Sequence, residues 1–457
     1  MDLTDVVTGY YESPAVRARV LEYCGEACGL ARYGGRRRLH QPDGAPVPAD
    51  GSDPARRFDD GVDVCRSLAD RGGAIVQLDV DYSNPSDPAE PYRQPERCFA
   101  RLEPVYGEVT RAFAALGIEP SCLLTGRGYH FTLRAPLDSP LHRDLVASGR
   151  LGGSLRVRYD ARAAAEPNSL ARGYAHDGTG RLLEHFAHGV MRRLRGRTEV
   201  PVTLADVPAP GRGAFICLDL TAYADPAFSR STRCAFSTNQ KAGMMALDGP
   251  PFVIVLPRSG RGLDELLRAR HDPAQAARLA EGERTVIPDF GEAAGWRTSY
   301  ERGPLGRFHR EFDRGPDVDA AGGGEADAGI GLARLPACVR LPLEHPNPLL
   351  LVPLYLRSVA LALWGLGWHP RSVARLICAR YRRDFGWSGL WERFEPCARA
   401  EFYVRVFCGL AACGLEDEAT FDCASQAARG GCPASDCGHD LGRLFPHALA
   451  PAAGGSA

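Results

Sequence analysis

A segment in the second half of the chain divides the sequence into two parts of different character. Residues 313–331 consist mainly of glycine, alanine and aspartate with almost no large apolar side chain, a composition typical of a flexible linker. We therefore expect two folded regions, residues 1–312 and residues 332–448, and a disordered tail at residues 449–457. The second region holds eight of the fifteen cysteines of the chain.

The first region alternates short apolar runs with stretches of helical spacing. Apolar runs bounded by turn-forming residues predict buried strands. These strands are residues 74–80, two short strands within 121–133 around a Gly-Arg-Gly turn, residues 213–220 and residues 252–256. Helical patterns are residues 1–70, which are also polar, residues 97–117 and residues 180–196. The interleaving indicates an α/β or α+β region, whereas the second region is expected to be mainly helical.

The composition excludes several classes of protein. With 44% hydrophobic and 24% charged residues, the 457-residue chain is expected to be globular rather than disordered. A formal net charge of -1 provides no global positive field for nucleic acid, so any such surface must be local. The odd number of scattered cysteines and the lack of a recognisable signal peptide favour a cytoplasmic protein over a secreted disulfide scaffold.

The most apolar stretch, residues 349–368, approaches the length of a membrane span. It contains Pro353 and Arg357, and an arginine near the middle of a span costs about 2.5–3.5 kcal/mol. We expect a buried helix of the second region instead, and no membrane partner.

Two carboxylates lie at the end of the first predicted strand. Asp79 and Asp81 are two residues apart, so the period of a strand places both side chains on one face of the sheet. Adjacent carboxylates repel each other unless a cation lies between them, and hard oxygen ligands select Mg²⁺ or Mn²⁺. A third carboxylate, Asp219, ends another predicted strand. Three such groups could hold two metal ions for phosphoryl or nucleotidyl transfer, whereas an isolated pair is usually solvated.

The turn at residues 125–131 carries groups that can bind phosphate. Its glycines, Gly128 among them, let backbone amides approach an anion closely. Arg127 and His130 can donate hydrogen bonds to phosphate oxygens. By itself the turn suits a β-hairpin with a structural histidine equally well.

A second group of phosphate donors follows Asp219. Residues 230–241 include Arg233, Ser237 and Lys241, the one lysine among 55 basic residues. A polar loop would explain the segment as well. The retention of this single ammonium in an arginine-rich chain, and the density of donors around it, favour a triphosphate pocket.

Taken in order, these motifs resemble the archaeo-eukaryotic primase superfamily. That family has an Asp-x-Asp motif, then a small residue–x–His motif, then an apolar residue followed by Asp. Asp79 and Asp81 match the first motif, His130 in GRGYHF the second, and Asp219 in ICLD the third. The resemblance covers roughly residues 60–260.

The segment CAFSTNQKAG also looks like the Ser–x–x–x–Lys–Thr–Gly segment of the catalytic small subunits, with Ala242 in place of the threonine. The resemblance implies an α+β catalytic core with an RRM-like sheet in residues 1–312. It implies that the three aspartates bind Mg²⁺ or Mn²⁺ and that His130 contacts the triphosphate. The other nucleotide-binding residues expected by position are Arg127, Gly128, Arg233, Ser237 and Lys241.

The cysteines of the second region resemble those of the iron–sulfur domain of the primase large subunit. That domain opens with Pro–x–Cys, continues through helices, and then has a lone cysteine and a Cys-Pro. Cys338, Cys423 and Cys432 match these positions, and Cys437 is the expected fourth ligand, with Cys408 and Cys413 as substitutes. The resemblance implies a [4Fe–4S] cluster in residues 332–448.

Two other readings of these cysteines remain open. Four thiolates also suit a structural Zn²⁺ ion. Cysteines can also be free, buried and apolar in behaviour, which we expect of Cys217, Cys378, Cys397 and Cys408.

The motifs and the cysteines together imply a template-directed nucleotidyltransferase, a primase or primase-polymerase working on single-stranded DNA. Its expected partners are a template, a primer and NTP or dNTP, with a helicase or another replication or defence protein as an open possibility. Two alternatives remain. One is a non-catalytic nucleic-acid-binding protein with a degenerate primase core, and the other is a metal-dependent nucleotide phosphohydrolase.

Overall fold

The structure of the chain is a computed structural model. The residues that it describes are 3–25, 30–33, 58–59, 61, 63–164, 166, 168–205, 213–240, 250–256, 262–318, 334–344, 353–382, 396–416, 418–432 and 437–446. The expected tail at residues 449–457 and most of the expected linker lie outside them.

Two sheets lie in the first region of this α+β protein. The strands are β1 Leu30–Tyr33, β2 Asp63–Ser67, β3 Gly73–Ser83, β4 Ser121–Leu124, β5 Gly128–Pro136, β6 Val202–Leu204, β7 Phe215–Asp219, β8 Ser231–Arg233 and β9 Ile254–Val255. A mixed six-stranded sheet has the order β6-β7-β3-β5-β4-β9, in which β6 and β7 are parallel and the other neighbours antiparallel. A smaller antiparallel sheet has the order β1-β2-β8.

Helices precede, separate and follow these strands. In the first region they are α1 Leu3–Tyr11, α2 Pro14–Cys24, α3 Glu90–Arg93, α4 Pro95–Ala114, α5 Pro140–Ser148, α6 Gly153–Asp160, α7 Ser169–Leu194, α8 Leu263–Ala269, α9 Pro273–Gly282, α10 Trp296–Arg302 and α11 Pro304–Arg314. In the second region they are α12 Ala337–Glu344, α13 Pro353–Gly365, α14 Pro370–Arg382, α15 Pro396–Ala412 and α16 Cys423–Ala428.

Successive side chains of β5 point to opposite faces of the large sheet, and the two faces differ in polarity. Tyr129 and Phe131 pack their rings against the aromatic side chains of α4, with ring centroids 5.3 Å apart for Phe99 and Tyr129. His130 lies between them in sequence and therefore points to the opposite face. The apolar face is covered by helices, which leaves the other face for polar groups.

The predicted strands and the hairpin are present with shifted ends. The turn between β4 and β5 lies where the Gly-Arg-Gly sequence predicts it. The predicted strand at residues 252–256 is reduced to two paired residues in β9. The expectation that residues 1–70 are helical is wrong in part, because β1 and β2 lie within them. The five residues of β2, DVCRS, are too few and too polar to show a period that separates a strand from a helix.

Helix α7 begins eleven residues before the predicted helix at residues 180–196, since it starts at Ser169. The glycines of its first half suggest a loop, but they serve close packing. A Cβ atom at Gly178 would overlap the carbonyl oxygen of Leu145, so this glycine lets α7 lie directly against α5.

The second region is helical in its described parts, as predicted. The apolar stretch at residues 349–368 supplies α13, and Arg357 on this helix is buried and forms an ion pair with Glu416. A buried, paired arginine explains how the stretch fits inside a protein core. Among the described helices, none combines the length and the apolarity needed to cross a lipid bilayer.

The first residue of the expected linker, Asp313, is held by contacts with helices of both regions. Asp313 lies in the last turn of α11, and its carboxylate accepts two hydrogen bonds from the buried Arg181 of α7, at 2.9 and 3.0 Å. Its carbonyl oxygen accepts a hydrogen bond from Arg371 of α14 at 3.0 Å. Residues 313–318 therefore join both regions, and residues 319–333 lie outside the described part of the chain.

Candidate functional site

The acidic residues and the histidine singled out by sequence converge at the centre of the large sheet. In the register of the strands, Asp79 on β3 lies opposite Asp219 on β7 and opposite His130 on β5. Asp81 lies opposite Gly128. Residues opposite each other, and residues two apart on a strand, point to the same face. The structure therefore brings Asp79, Asp81, Asp219 and His130 together on one face.

Neutral donors hold two of the three carboxylates in place. The side-chain amide of Gln77 donates to Oδ1 of Asp79, and Gln77 itself accepts a hydrogen bond from Thr132 at 2.6 Å. The backbone N–H of Thr221 donates to Oδ1 of Asp219 at 2.8 Å. These bonds orient the carboxylates but leave their negative charge uncompensated.

On this face, the surroundings of Asp79 disfavour the charged form of its carboxyl group. Burial is the main reason that the pKa of Asp79 lies well above its usual value, and the negative charges of Asp81 and Asp219 raise it further. The side chain keeps 29% of its surface exposed, so it remains open to a ligand. A cation placed here would relieve both effects.

Arg127 forms an ion pair with Asp81. Its Nε donates to Oδ2 of Asp81 at 2.8 Å and its NH2 group to the same oxygen at 2.5 Å. The charge of Asp81 is the main reason that the pKa of Arg127 is raised. In this structure Arg127 neutralises the Asp81 carboxylate, and its contact with phosphate stays a prediction.

His130 is neutral at pH 7. Burial lowers its pKa to about 4, and the charges of Arg233 and Arg127 add to this effect while those of Asp81 and Asp219 oppose it. Its Nε2 lies 3.6 Å from Oδ1 of Asp79. Its Nδ1 is buried and has no hydrogen-bond partner among the described residues. A neutral imidazole can offer one N–H donor to a ligand on this face.

Two glycines let the β4–β5 turn lie against its neighbours. A Cβ atom at Gly128 would overlap the carbonyl oxygen of Val80 on β3. A Cβ atom at Gly126 would overlap the side-chain amide of Asn239. Gly128 therefore allows the close approach of β5 to β3 beside Asp81. Its contact with phosphate stays a prediction.

Arg270 braces this turn and was not identified from sequence. It is fully buried, and its NH1 group donates to the carbonyl oxygens of Thr125 at 3.0 Å and Gly126 at 2.9 Å. Its NH2 group donates to the carbonyl oxygen of Pro91 at 3.0 Å. Because these partners are more than a hundred residues away in sequence, no local pattern marks Arg270.

The donors predicted downstream of Asp219 occupy different environments. Arg233 donates from NH1 to Asp63 at 2.6 Å, and its charge reaches His130, so it lies beside the acidic face. Ser237 is fully buried, and its hydroxyl accepts a hydrogen bond from the N–H of Val64 at 2.8 Å. Lys241 lies outside the described residues.

The donor set suits a hard divalent cation, although the side chains are not yet arranged around one. Within the described ranges, no three His, Cys, Asp or Glu side chains stand in a geometry that would hold a metal ion. Each carboxylate has another partner, namely Arg127, Gln77 or the N–H of Thr221. Three carboxylates on adjacent strands are nevertheless the ligand type that Mg²⁺ and Mn²⁺ prefer. Arg127 occupies Oδ2 of Asp81, so a cation bound through that oxygen would displace the guanidinium.

The charges of the predicted cysteine ligands act on one another. Burial raises the pKa of the Cys338 thiol to about 12, and the charges of Cys432, Cys423 and Cys437 raise it further. Among the described residues, however, no three cysteine side chains form a group that could hold a metal ion, so the cluster site stays a prediction. The sulfur of Cys423 accepts a hydrogen bond from the N–H of Leu441 at 3.3 Å.

The other cysteines of this region lie in different surroundings. Cys408 is fully buried inside α15. Cys413 lies near Arg192 and Glu184 of α7, both of which influence its pKa. Of the three candidates for the fourth position, Cys437 is named because its charge acts on Cys338. Soft thiolates suit both an iron–sulfur cluster and Zn²⁺, and the choice between the two cofactors stays a prediction.

Cys378 and Cys397 correct one expectation. They were expected to be free buried cysteines, but they form a disulfide between α14 and α15, with Cα atoms 4.7 Å apart. The two positions are 19 residues apart in sequence, and their approach depends on how the two helices pack. Cys217 and Cys408 are buried and form no disulfide within the described residues.

Comparison with known proteins assigns no family to the chain. No family model matches it, and no curated protein matches it. The function must therefore be inferred from the residues and contacts of this chain.

Proposed function

We propose that the chain is a template-directed nucleotidyltransferase of the primase type, which synthesises or extends primers on single-stranded nucleic acid. One observation carries the proposal: Asp219, Asp79 and His130 form a single row across three neighbouring strands, with Asp81 on the same face. The motifs occur in the order found in the archaeo-eukaryotic primase superfamily. We propose that the chain belongs to it.

In this function the three aspartates would hold Mg²⁺ or Mn²⁺. Such ions lower the barrier to attack by a primer 3′-hydroxyl and neutralise the charge that develops on the leaving pyrophosphate. The residues of the chain supply position and charge. Gln77 and the N–H of Thr221 orient two carboxylates, and the crowding at Asp79 provides the attraction for the cations.

Arg127, His130 and Arg233 would bind the triphosphate. Arg127 and Arg233 each have a carboxylate partner in this structure, Asp81 and Asp63 respectively. An incoming triphosphate with its metal ions brings both negative and positive charge, so Asp81 can exchange Arg127 for a cation while Arg127 moves to a phosphate oxygen. His130 would donate one N–H, since it is neutral.

The second region would bind the template–primer end or the initiating nucleotide. Its four cysteines, Cys338, Cys423, Cys432 and Cys437, would hold a [4Fe–4S] cluster, with Zn²⁺ as the alternative. Either group would fix the segments around Cys432 and Cys437 relative to α12 and α16.

The experiment that tests the proposal measures incorporation of a labelled nucleotide on a single-stranded oligonucleotide in Mg²⁺ or Mn²⁺. Asp79→Ala and Asp81→Ala should abolish synthesis while circular dichroism shows an intact fold. Asp289→Ala is the matched control, because Asp289 forms an exposed ion pair with Arg134 on β5, beyond the acidic face. Full synthesis by the Asp79 and Asp81 variants would overturn the assignment.

One observation favours a second candidate, a non-catalytic nucleic-acid-binding protein. The ion pair between Arg127 and Asp81 satisfies a carboxylate that catalysis would need. In that case the protein would bind single-stranded DNA but incorporate no nucleotide with either metal. Phosphate released from nucleotides without a template would instead indicate a phosphohydrolase.

A further inference from the structure

The loop after Asp219 determines where that carboxylate points. Asp219 ends β7, and a single 3-10 turn, Thr221–Ala224, follows it. The N–H of Thr221 donates to Oδ1 of Asp219 at 2.8 Å. Any displacement of Thr221 therefore moves the hydrogen bond that orients Asp219.

Asp225, the next residue after this turn, is an anchor for the loop. Its side chain is 2% exposed. One of its partners, Arg230, forms an ion pair with it at 2.5 Å and donates from the same NH2 group to the carbonyl oxygen of Thr221 at 2.7 Å. From the other side, Nε2 of His176 on α7 lies 3.1 Å from the carbonyl oxygen of Asp225.

The second region reaches this anchor through Arg399 on α15. The Nε of Arg399 donates to Oδ1 of Asp225 at 2.9 Å, and its NH2 group donates to Oδ2 at 2.8 Å. A bidentate arginine–carboxylate pair fixes both distance and orientation. Because Asp225 is buried, loss of Arg399 would weaken the compensation of a buried charge.

Tyr403 lies one helical turn after Arg399 and is buried. Burial is the main reason that its pKa is raised, and the negative charge of Asp219 raises it further.

We infer that Arg399 is a positioning residue for Asp219, so that the second region completes the metal site of the first. The chain of contacts runs from Arg399 to Asp225, through Arg230 to Thr221, and from Thr221 to Asp219. The inference rests on the proposed function, in which Asp219 is a metal ligand. Partners of metal ligands typically contribute about 10–100-fold in metal affinity.

The test measures Mn²⁺ binding to the full chain by electron paramagnetic resonance of the free ion, without nucleotide or template. Arg399→Gln should raise the dissociation constant by about tenfold or more. Arg399→Lys, which keeps the charge but not the bidentate pair, should lie between this variant and the unaltered chain. It also provides the measurement if Arg399→Gln fails to fold.

Arg371→Gln is the matched control. Arg371 has a similar exposure, 13% against 16%, and also joins the two regions, but through the carbonyl oxygens of Asp313 and Gly315. Its Mn²⁺ affinity should stay close to that of the unaltered chain. Equal losses in the Arg371 and Arg399 variants would show a general loosening of the interface and would overturn the inference.

A double variant tests the route of the effect. If Arg399 acts through Asp225, then Arg399→Gln should add little to the loss caused by Asp225→Asn. Fully additive losses would contradict this route. An unaltered chain that binds no Mn²⁺ would overturn the proposed function itself, whereas Mn²⁺ binding that is indifferent to Arg399 would overturn the positioning role alone.

Discussion

Asp79 and Asp219 lie directly opposite each other on the antiparallel strands β3 and β7. Their sequence positions are 140 residues apart, and the pairing of the strands holds the two carboxylates side by side. Like charges directly opposite each other destabilise a sheet, and burial of Asp79 adds to the cost. The protein maintains an unfavourable arrangement here, which is typical of a functional site.

The repulsion between Asp79 and its acidic neighbours predicts two effects of one substitution. The substitution should raise the stability of the metal-free protein and abolish its stabilisation by Mn²⁺. Asp79→Asn should increase the free energy of unfolding in metal-free buffer by about 1 kcal/mol, because it removes a crowded charge. Mn²⁺ should raise the melting temperature of the unaltered chain but not that of the variant. Thermal unfolding with and without Mn²⁺ measures both. Asp289→Asn should respond to Mn²⁺ like the unaltered chain, and a destabilised Asp79→Asn protein would contradict the prediction.

The Arg127–Asp81 pair predicts that Arg127→Gln acts in opposite directions on two ligands. Without nucleotide, the variant should bind Mn²⁺ about tenfold more tightly, equivalent to about 1.4 kcal/mol, because no guanidinium competes for Asp81. Its affinity for a triphosphate should fall. Calorimetric titration with each ligand measures the two effects, with Arg134→Gln as control. A decrease in both affinities would mean that Arg127 supports the fold of the turn and does not compete with the cation.

The contact of Gly128 with β3 predicts a large loss of stability on adding one methyl group. Gly128→Ala should lower the free energy of unfolding by about 3 kcal/mol or more, because the new Cβ atom overlaps the Val80 carbonyl oxygen. Gly107→Ala is the control. Gly107 lies in α4 with open space around it, and alanine there should stabilise the helix by about 0.5–1 kcal/mol. Urea unfolding of both variants checks the difference, and equal effects would refute it.

The four cysteines that match the iron–sulfur domain predict which thiols bind iron or zinc. Cys432→Ser and Cys437→Ser should each lose most of the bound metal, since each removes a proposed ligand whose charge acts on Cys338. Cys413→Ser should retain it, because Cys413 lies near Arg192 and Glu184. Iron, sulfide and zinc content and the absorption spectrum after anaerobic purification measure the result. If the Cys413→Ser variant alone lost its metal, Cys413 and not Cys437 would be the fourth ligand.

The burial of His188 predicts that the free energy of unfolding depends on pH. It is fully buried, and neither ring nitrogen has a hydrogen-bond partner in the described part of the chain. Burial lowers its pKa from 6.5 to about 3, modulated by the four charged or titratable neighbours Glu184, Arg192, His309 and His185. Below about pH 6.5, His188 binds a proton in the unfolded chain but stays neutral in the folded protein. This residue therefore lowers the free energy of unfolding as the pH falls.

His188→Leu removes that proton linkage. The stability advantage of the variant over the unaltered chain should therefore grow by about 1.4 kcal/mol per pH unit below about pH 6.5. Urea unfolding of both proteins at about pH 7 and about pH 5 measures the change. A difference that stays constant with pH would show that His188 is not buried in its neutral form.

Sequence reasoning failed where a residue's environment comes from distant parts of the chain. No sequence motif singled out His176 or His188. The structure places both in α7 and buries them. The glycines and polar residues of this segment have no helical signature, because close packing against α5 selected them. The fold compensates the poor helix propensity with tertiary contacts.

The sequence alone determined the strand that carries Asp79 and Asp81, the hairpin that carries His130, and the shared face of the two aspartates. These follow from local periodicity and turn chemistry, which depend on residues a few positions apart. Tertiary structure alone decided that Arg127 neutralises Asp81, that Arg270 braces the turn, and that Arg399 reaches Asp225 from the second region. Ion pairs and buried hydrogen bonds are made between groups brought together by packing, and no local pattern specifies which partner a charged side chain will find.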